Sequence, residues 1–450
     1  MNIVISLDIG TSKLCALAFD PKIHKVLATC SMPNDTDIKN LAPELHEQDP
    51  QQIFHKCFDL IQTLLSKISA LEVIAIAISG QMHGVLLINQ QLEPITNLIT
   101  WRDQRTAKIL SSLKLNASIF KQTGCKLSSG YGGATLAWLN ANHKITSNMR
   151  AVTIADYLTA SLTGIITTEP THAASWGIFD LTKGCWHKAL IATLNIPEFV
   201  LPQVVPTAKP IGPIAPQQAK ILGLSEQVQV CTPIGDNQAS VIGSIGLATD
   251  SAVINVGTGG QISIPITKYA YTEQLETRPM PFKGYIQVGA SLCGGWAHAY
   301  LKDFFYKVIK DIADIELDNA TIYKKINHLA LQAQPGATGL LADTRFSGTR
   351  LEPNVLGSIN NIDRNNLTPH NLARAFMEGI INELLDFSHH ADLTNIKKIV
   401  ASGNAVRKNS SMQQVITKIF NRPCHIKETT EEAALGAAYA AASGLGLIAK

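Results

Sequence analysis

An apolar run that ends in a polar residue and then delivers Gly-Thr occurs twice in this chain. Ile3 to Thr11 reads IVISLDIGT and Ala252 to Thr258 reads AVINVGT, so Asp8 and Asn255 stand at equivalent places before Gly10-Thr11 and Gly257-Thr258. Such a repeat constrains the fold to two copies of one architecture. A glycine at the turn lets backbone N–H groups approach an anion, and the threonine adds a hydroxyl donor, which suits phosphate. Two such turns facing each other would clamp one nucleotide. Either copy alone is commonly just a strand and its turn, so the reading rests on the pair.

At 450 residues the chain exceeds one ordinary core and fits two domains. Its 46% hydrophobic and 16% charged composition is that of a globular protein. The formal net charge of +3 is small, and no Lys/Arg block forms a nucleic-acid stripe or a polybasic anchor, which argues against nucleic acid as a partner. MNIVISLDIGTSK carries an acid inside its apolar run and no basic leader, so it reads as a core strand rather than a signal peptide. No apolar run reaches the ~20 residues that span a bilayer. The eight cysteines are scattered without a Cys-x-x-Cys or zinc spacing, and a reducing cytoplasmic location is expected.

Strand and helix signals alternate through the first half, as in α/β proteins. Lys25 to Thr29 is predicted to be a strand. Asp49-Pro50 is an N-cap followed by proline at the first helical position, and Ile53, Phe54, Cys57, Phe58, Ile61, Leu64, Leu65 and Ile68 recur behind it at helical spacing. VIAIAI (Val73 to Ile78) reads as a buried strand that stops at SGQMHG. The five prolines between Pro202 and Pro216 force an extended path away from the centre of a sheet. Val228 to Pro233 rebuilds a strand before GDNQAS, and the domain boundary is placed near Gly243 to Asp250, with Gly243 and Gly246 as hinge candidates. The second half repeats the scheme: a strand at Ala252, a helix opening at Thr368-Pro369 with Leu372, Phe376, Ile380 and Leu384 on one side, and a strand from Ile396 to Ala401 that ends in SGN.

Open α/β sheets gather their functional groups at the carboxyl ends of strands. Asp8, Ser79 to Gly84, Asp236 to Gln238, Gly257 to Gly260 and Ser402 to Asn404 all follow apolar runs. Asp236 opens a predicted helix, where an acid serves equally as an N-cap. His83 in its glycine-bracketed loop, standing alone, is as readily structural as functional. TWRDQR sets the Trp101 face beside two cations and Asp103, a mixture that suits sugar C–H faces and hydroxyls, with surface ion pairing as the plainer reading. Trp138, Trp176 and Trp296 read as core or rim, and Trp176 is the one placed to reach a substrate.

The segments LDIGTS, SGQMHG, TWRDQR, IGDNQAS, INVGTGGQ, ASGNAVRKN and EEAALGAAYAA, in this order along nearly the whole chain, resemble the FGGY carbohydrate kinases. The resemblance implies an α/β fold of two duplicated ribonuclease-H-like domains, of the actin and Hsp70 ATPase superfamily, spanning 1–246 and 247–450 around an interdomain catalytic cleft. It implies transfer of a phosphoryl group from ATP, with Mg²⁺, to the terminal primary hydroxyl of a ketose. Asp236 would be the catalytic base and Asp8 would hold the metal. Gln81, Met82, His83, Trp101, Asp103, Asp236 and Asn237 would contact the sugar. Gly10, Thr11, Ser12 and Lys13 on one side and Gly257, Thr258 and Gly259 on the other would cradle phosphates, with Gly403, Asn404 and Ala405 at the adenine and ribose.

Within the family, SGQMHG is similar to xylulokinases and sedoheptulokinases. Thr135 in YGGATLAWL, together with HAASWGIFD and VGASLCGGW, is similar to sedoheptulokinases, so sedoheptulose is the expected substrate and xylulose or another pentulose the alternative. Asn237 is the residue xylulokinases carry, Gln104 replaces a usual glycine, and Cys15 stands where relatives often have a cation, leaving Lys13 nearest. An actin-fold ATPase acting on other proteins is the reading from another class, and it would need a peptide-binding region that two halves spent on one cleft do not supply. The partners expected are a small sugar and ATP, without nucleic acid or membrane, and a homodimer is compatible with the chain.

Overall fold

In the computed structural model, which describes residues 2–113, 115–349, 352, 354–407, 409–427 and 430–449 (Leu71 and Asn404 by backbone alone), the repeated run is the central strand of each of two sheets. In the first sheet Ile3–Ile9 (β1), Lys13–Asp20 (β2) and Lys25–Pro33 (β3) form an antiparallel meander. Val73–Gly80 (β4) joins β1 in parallel. Pro210–Pro213 (β5) is the antiparallel edge beside Gln229–Cys231 (β6), which runs parallel to β4, and Ile234–Gly235 (β7) pairs with the carboxyl end of β4. The proline-rich stretch therefore lies at the edge, where a missing N–H costs no ladder bond.

The second sheet repeats this wiring. Ser251–Val256 (β8) pairs antiparallel with Gly260–Ile266 (β9), and β9 pairs with Tyr285–Ser291 (β11), whose other side carries Glu276–Pro279 (β10). Lys398–Ser402 (β12) joins β8 in parallel, and Cys424–Ile426 (β13) joins β12. The register makes the duplication explicit. Asp8 sits opposite Ser79 in the first sheet, and Asn255 sits opposite Ser402 in the second. SGQ after β4 and SGN after β12 are thus the same place in the two copies. The predicted strand at Ile396 begins two residues later, at Lys398, while Ile396 is still buried in the core.

The helix Pro50–Leu65 (α1) starts as predicted, with the Asp49 carboxylate accepting from the N–H groups of Gln51 and Gln52, and it buries Ile53, Cys57, Phe58, Ile61 and Leu64 against one face of the first sheet. The other face is covered by two helices far apart in sequence, Asp236–Ile245 (α2) and Glu432–Gly444 (α3). Helix α2 also reaches the second sheet: Ala239 and Ile242 pack toward the first, Val241 and Ile245 toward Val253, Ile286 and Val288 of the second. It is the slab between the two sheets. Gly243 is not a free hinge point, because a Cβ there would meet the Glu432 carbonyl at 1.9 Å, and one at Gly436 would meet the Ala239 carbonyl at 1.7 Å. The two helices touch backbone to backbone. Between β4 and β5, the helix Ile154–Thr163 packs in the core of the first sheet, while other residues of 81–209 gather around a core of their own at Leu136, Trp176 and Ile178.

Candidate active site

β1 delivers Asp8 into a cleft of about 430 Å³ between the sheets, which is also lined by Asp236, Asn237 and Ser240 from α2 and by Asn255, Gly257, Gly259 and Gln261 from the second sheet. A larger groove of about 730 Å³ lies beyond Ala290 and is lined by Lys126, Arg278, Arg345 and Glu383. The smaller cleft is the candidate site, since it brings Asp8 and Asp236 to the Gly257 turn. Ser79 donates its hydroxyl to Asp8 Oδ1. Burial pushes the Asp8 carboxyl up to about 7, aided by the charges of Asp236 and Glu431 and opposed by Ser79 and Lys13. A pair of carboxylates held this way calls for a cation.

Asp236 is the first residue of α2, and Gly235, not Asp236, occupies the cap position, where no side chain caps the helix. The N-cap alternative for Asp236 is therefore excluded. Its carboxyl faces the cleft, raised above the ordinary range by burial and pulled back by the charges of Arg278 and His172. Beneath it the N–H of Gly235 donates to Thr171 Oγ1 at 2.7 Å, and Thr171 donates to Glu169 Oε1, which also holds His172 Nδ1 at 2.8 Å. This fully buried group pins the start of α2.

The first-domain turn is closed by Gly10 N–H donating to the Lys13 carbonyl, and the Ser12 carbonyl accepts from Asn34 N–H. Lys13 forms an ion pair of 2.5 Å with Glu431. Thr11 is committed: its hydroxyl donates to Gln81 Oε1 at 3.0 Å and accepts from Trp101 Nε1 at 2.9 Å. It thereby ties the Gly10-Thr11 turn to Gln81 and Trp101. Gln81 is buried and donates to Gln48 Oε1, Met82 is buried, and Trp101 remains 41% exposed. His83 has φ +73°, a backbone state uncommon outside glycine, and its Nδ1 lies 2.7 Å from the Ser175 carbonyl. A carbonyl only accepts, so Nδ1 carries the proton. Asp103 is buried and receives Arg105 and the His46 N–H, bracing the loop rather than facing the cleft. Trp176 is fully buried and donates to the Gly84 carbonyl, so it sits in the core behind this loop.

On the second sheet, Gly257 has open space where a side chain would be, with only Asn255 within 4 Å, so the turn leaves a hollow a bound group can enter. Gly295 N–H donates to the Gly257 carbonyl and Trp296 N–H to the Thr258 carbonyl, which seats the helix Gly294–Ala313 against the turn. Gly403 has φ +90° and a Cβ there would strike the Val256 carbonyl at 2.5 Å, so only glycine serves between β12 and the short helix opened by Asn404 and Ala405. These three residues lie beside the cleft, with Ala405 next to Gly295.

Sequence reasoning missed several participants. The Ser79 bond to Asp8 was readable from the matching SGQ and SGN segments. Gly294-Gly295 opening a helix was a visible signal as well. Tyr131, Glu276 and Arg278 carried no signal, because only the fold brings them to the sugar-side residues. Among the described residues no group of three or more His, Cys, Asp or Glu side chains could hold a metal by protein ligands alone. One or two carboxylates with phosphates are the usual Mg²⁺ set, and Asp8 at the cleft fits it.

The description "FGGY family of carbohydrate kinases" matches this chain twice, its N-terminal domain over residues 3–243 and its C-terminal domain over 252–445. The xylulose kinase of Haemophilus influenzae is 29% identical, over 96% of this chain and 89% of its own length. The human sedoheptulokinase is 27% identical, over 97% of this chain and 96% of its own. Among solved structures, a gluconate kinase from Lactobacillus acidophilus superposes with a TM-score of 0.88 at 26% identity, covering 100% of this chain and 90% of that one. No helix among the described residues is long and apolar enough to cross a membrane.

Proposed function

Because the chain belongs to the FGGY family of carbohydrate kinases, we propose that it phosphorylates the terminal primary hydroxyl of a ketose, with sedoheptulose as the substrate. The observation that carries the chemistry is the pair of Asp8 and Asp236 in one cleft, opposite an open glycine turn. Asp236 accepts the proton of the attacking hydroxyl. Phosphoryl transfer asks mainly for alignment and charge stabilisation, and a preorganised cleft supplies both. The turns Gly10 to Lys13 and Gly257 to Gly259 hold the phosphates of ATP from two sides, with the Gly10 N–H spent on closing its own turn, and Gly403 to Ala405 border its adenosine. Mg²⁺, held by Asp8, supplies neutralisation of phosphate charge when bound. Gln81, Met82, His83, Trp101 and Asn237 orient the sugar, while Asp103 acts through Arg105.

Sedoheptulose is favoured by Thr135 and the HAASWGIFD segment. Xylulose is the second reading, supported by Asn237 and by the 29% identity to a xylulose kinase. Initial rates of ADP release with ATP and Mg²⁺, across sedoheptulose, xylulose, ribulose, gluconate and glycerol, decide between them. The expected result is the highest kcat/KM on sedoheptulose. A preference for xylulose moves the assignment to the pentulose, and ADP release that no sugar stimulates overturns the ketose kinase reading.

A further inference from the structure

We infer that Glu276 and Arg278 of the second domain form a bracket across the cleft that positions Asn237 and sets which ketose length the site accepts. Both sit on the edge strand β10, two residues apart, and so project to the same face of the sheet. Arg278 Nε and Nη2 donate to Glu276 Oε2 at 3.1 and 2.6 Å, while its Nη1 donates to Asn237 Oδ1 at 2.9 Å. An arginine only donates, so this contact fixes which way the Asn237 amide points and leaves its Nδ2 toward Ser263, 3.3 Å away. On the other side the Tyr131 hydroxyl donates to Glu276 Oε1, and the Tyr131 ring stacks on His83 with centroids 4.3 Å apart.

The contacts thus run from His83 through Tyr131, Glu276 and Arg278 to Asn237, the neighbour of the catalytic base. His83 and Asn237 are the two ends of the sugar-side cluster, and the acid-arginine pair links them through the second domain. Arg278 is buried and the Glu276 side chain is 20% exposed, so the pair is partly shielded from water and salt. Its planar fork fills two directions at once, which a lysine cannot do. The span from Tyr131 to Arg278 is then fixed by one carboxylate, and the length of sugar that fits along it is fixed with it. Neither residue touches the reacting atoms in this arrangement. They are positioning residues.

The inference deepens the proposed ketose kinase reading and rests on it for the sugar, although the contacts themselves do not. Its test uses the full chain with Arg278→Lys, Arg278→Met and Glu276→Gln. Arg278→Lys is expected to raise the ketose KM about tenfold with little change in kcat, and Arg278→Met to raise it further and lower kcat, both leaving the KM for ATP within about twofold. Glu276→Gln, nearly isosteric, should change the kcat/KM ratio between seven- and five-carbon ketoses by about fivefold or more. A purely structural role would lower thermal stability and disturb both substrates without moving that ratio. Hydrogen exchange on the free protein gives an activity-independent reading: peptides spanning 128–139 should exchange about tenfold faster in Glu276→Gln. Unchanged exchange there, or a ketose ratio and KM within twofold of the parent, overturns the bracket. Failure of the parent protein to use any ketose overturns the proposed function instead, with the exchange result still deciding the bracket.

Discussion

At the scale of single residues, position in the element decides chemistry. Asp236 at the first turn of α2, with no capping duty, is free to accept a proton, and general-base assistance contributes roughly 10² to 10⁴ in rate. Asp236→Ala should lower kcat by that order and leave nucleotide affinity within about twofold, as measured by ADP release and nucleotide titration. His298 offers a pH test away from the cleft. Burial beside Tyr323 holds its pKa down at about 4, so it is neutral in the folded protein, whereas the unfolded chain protonates near the ordinary value of 6.5. The stability this neutral ring contributes is complete above pH 6.5 and is lost as pH falls toward 4, by about 3 kcal/mol at ~1.4 kcal/mol per pK unit. Urea unfolding of the parent and His298→Gln between pH 7 and pH 4 should show that difference in slope. That Asp8 and Asp236 reach one cleft was readable, because each follows an apolar run, whereas His83 stands in the loop beyond one. Glu276 and Arg278 were not, since a short edge strand with charged residues looks like any solvated loop.

At the scale of elements, the contact between α2 and α3 is the tightest constraint near the base. Replacing Gly436 by alanine gains up to about 1 kcal/mol of helix propensity. The added Cβ would have to stand 1.7 Å from the Ala239 carbonyl, so the helices must separate, and overpacking of this kind costs about 1 to 3 kcal/mol or more. The packing term wins. Gly436→Ala should lower stability by about 2 kcal/mol in denaturant titrations and reduce kcat, because α2 carries Asp236. The helix start at Asp49-Pro50 and the Thr368-Pro369 start, where Thr368 caps Asn371 N–H, were legible as local chemistry. Which faces α2 serves was not. Its apolar residues look both ways, toward two sheets, and a single periodic stripe cannot express that.

At the scale of the whole molecule, the duplicated strand and turn announced two sheets of one design, and the matching registers of Asp8 with Ser79 and Asn255 with Ser402 make them equivalent. The cleft between them joins groups from both, so sugar and nucleotide together should draw the domains closer and exclude water. Solution scattering is expected to give a smaller radius of gyration with ketose and a non-hydrolysable nucleotide than without them. Identical profiles would argue that the cleft works without closing. What the linear sequence concealed is the return path of α3, whose alanines complete the face of the first sheet beside Phe19 and Ala75. That path also bears on how the chain is made. During synthesis β1 to β4 emerge early, yet one side of their sheet is covered only in part, by α2, until Glu432–Gly444 leaves the ribosome, so the first sheet should reach its native stability only once that helix is made, and nascent chains stalled before it should remain open to proteases and chaperones.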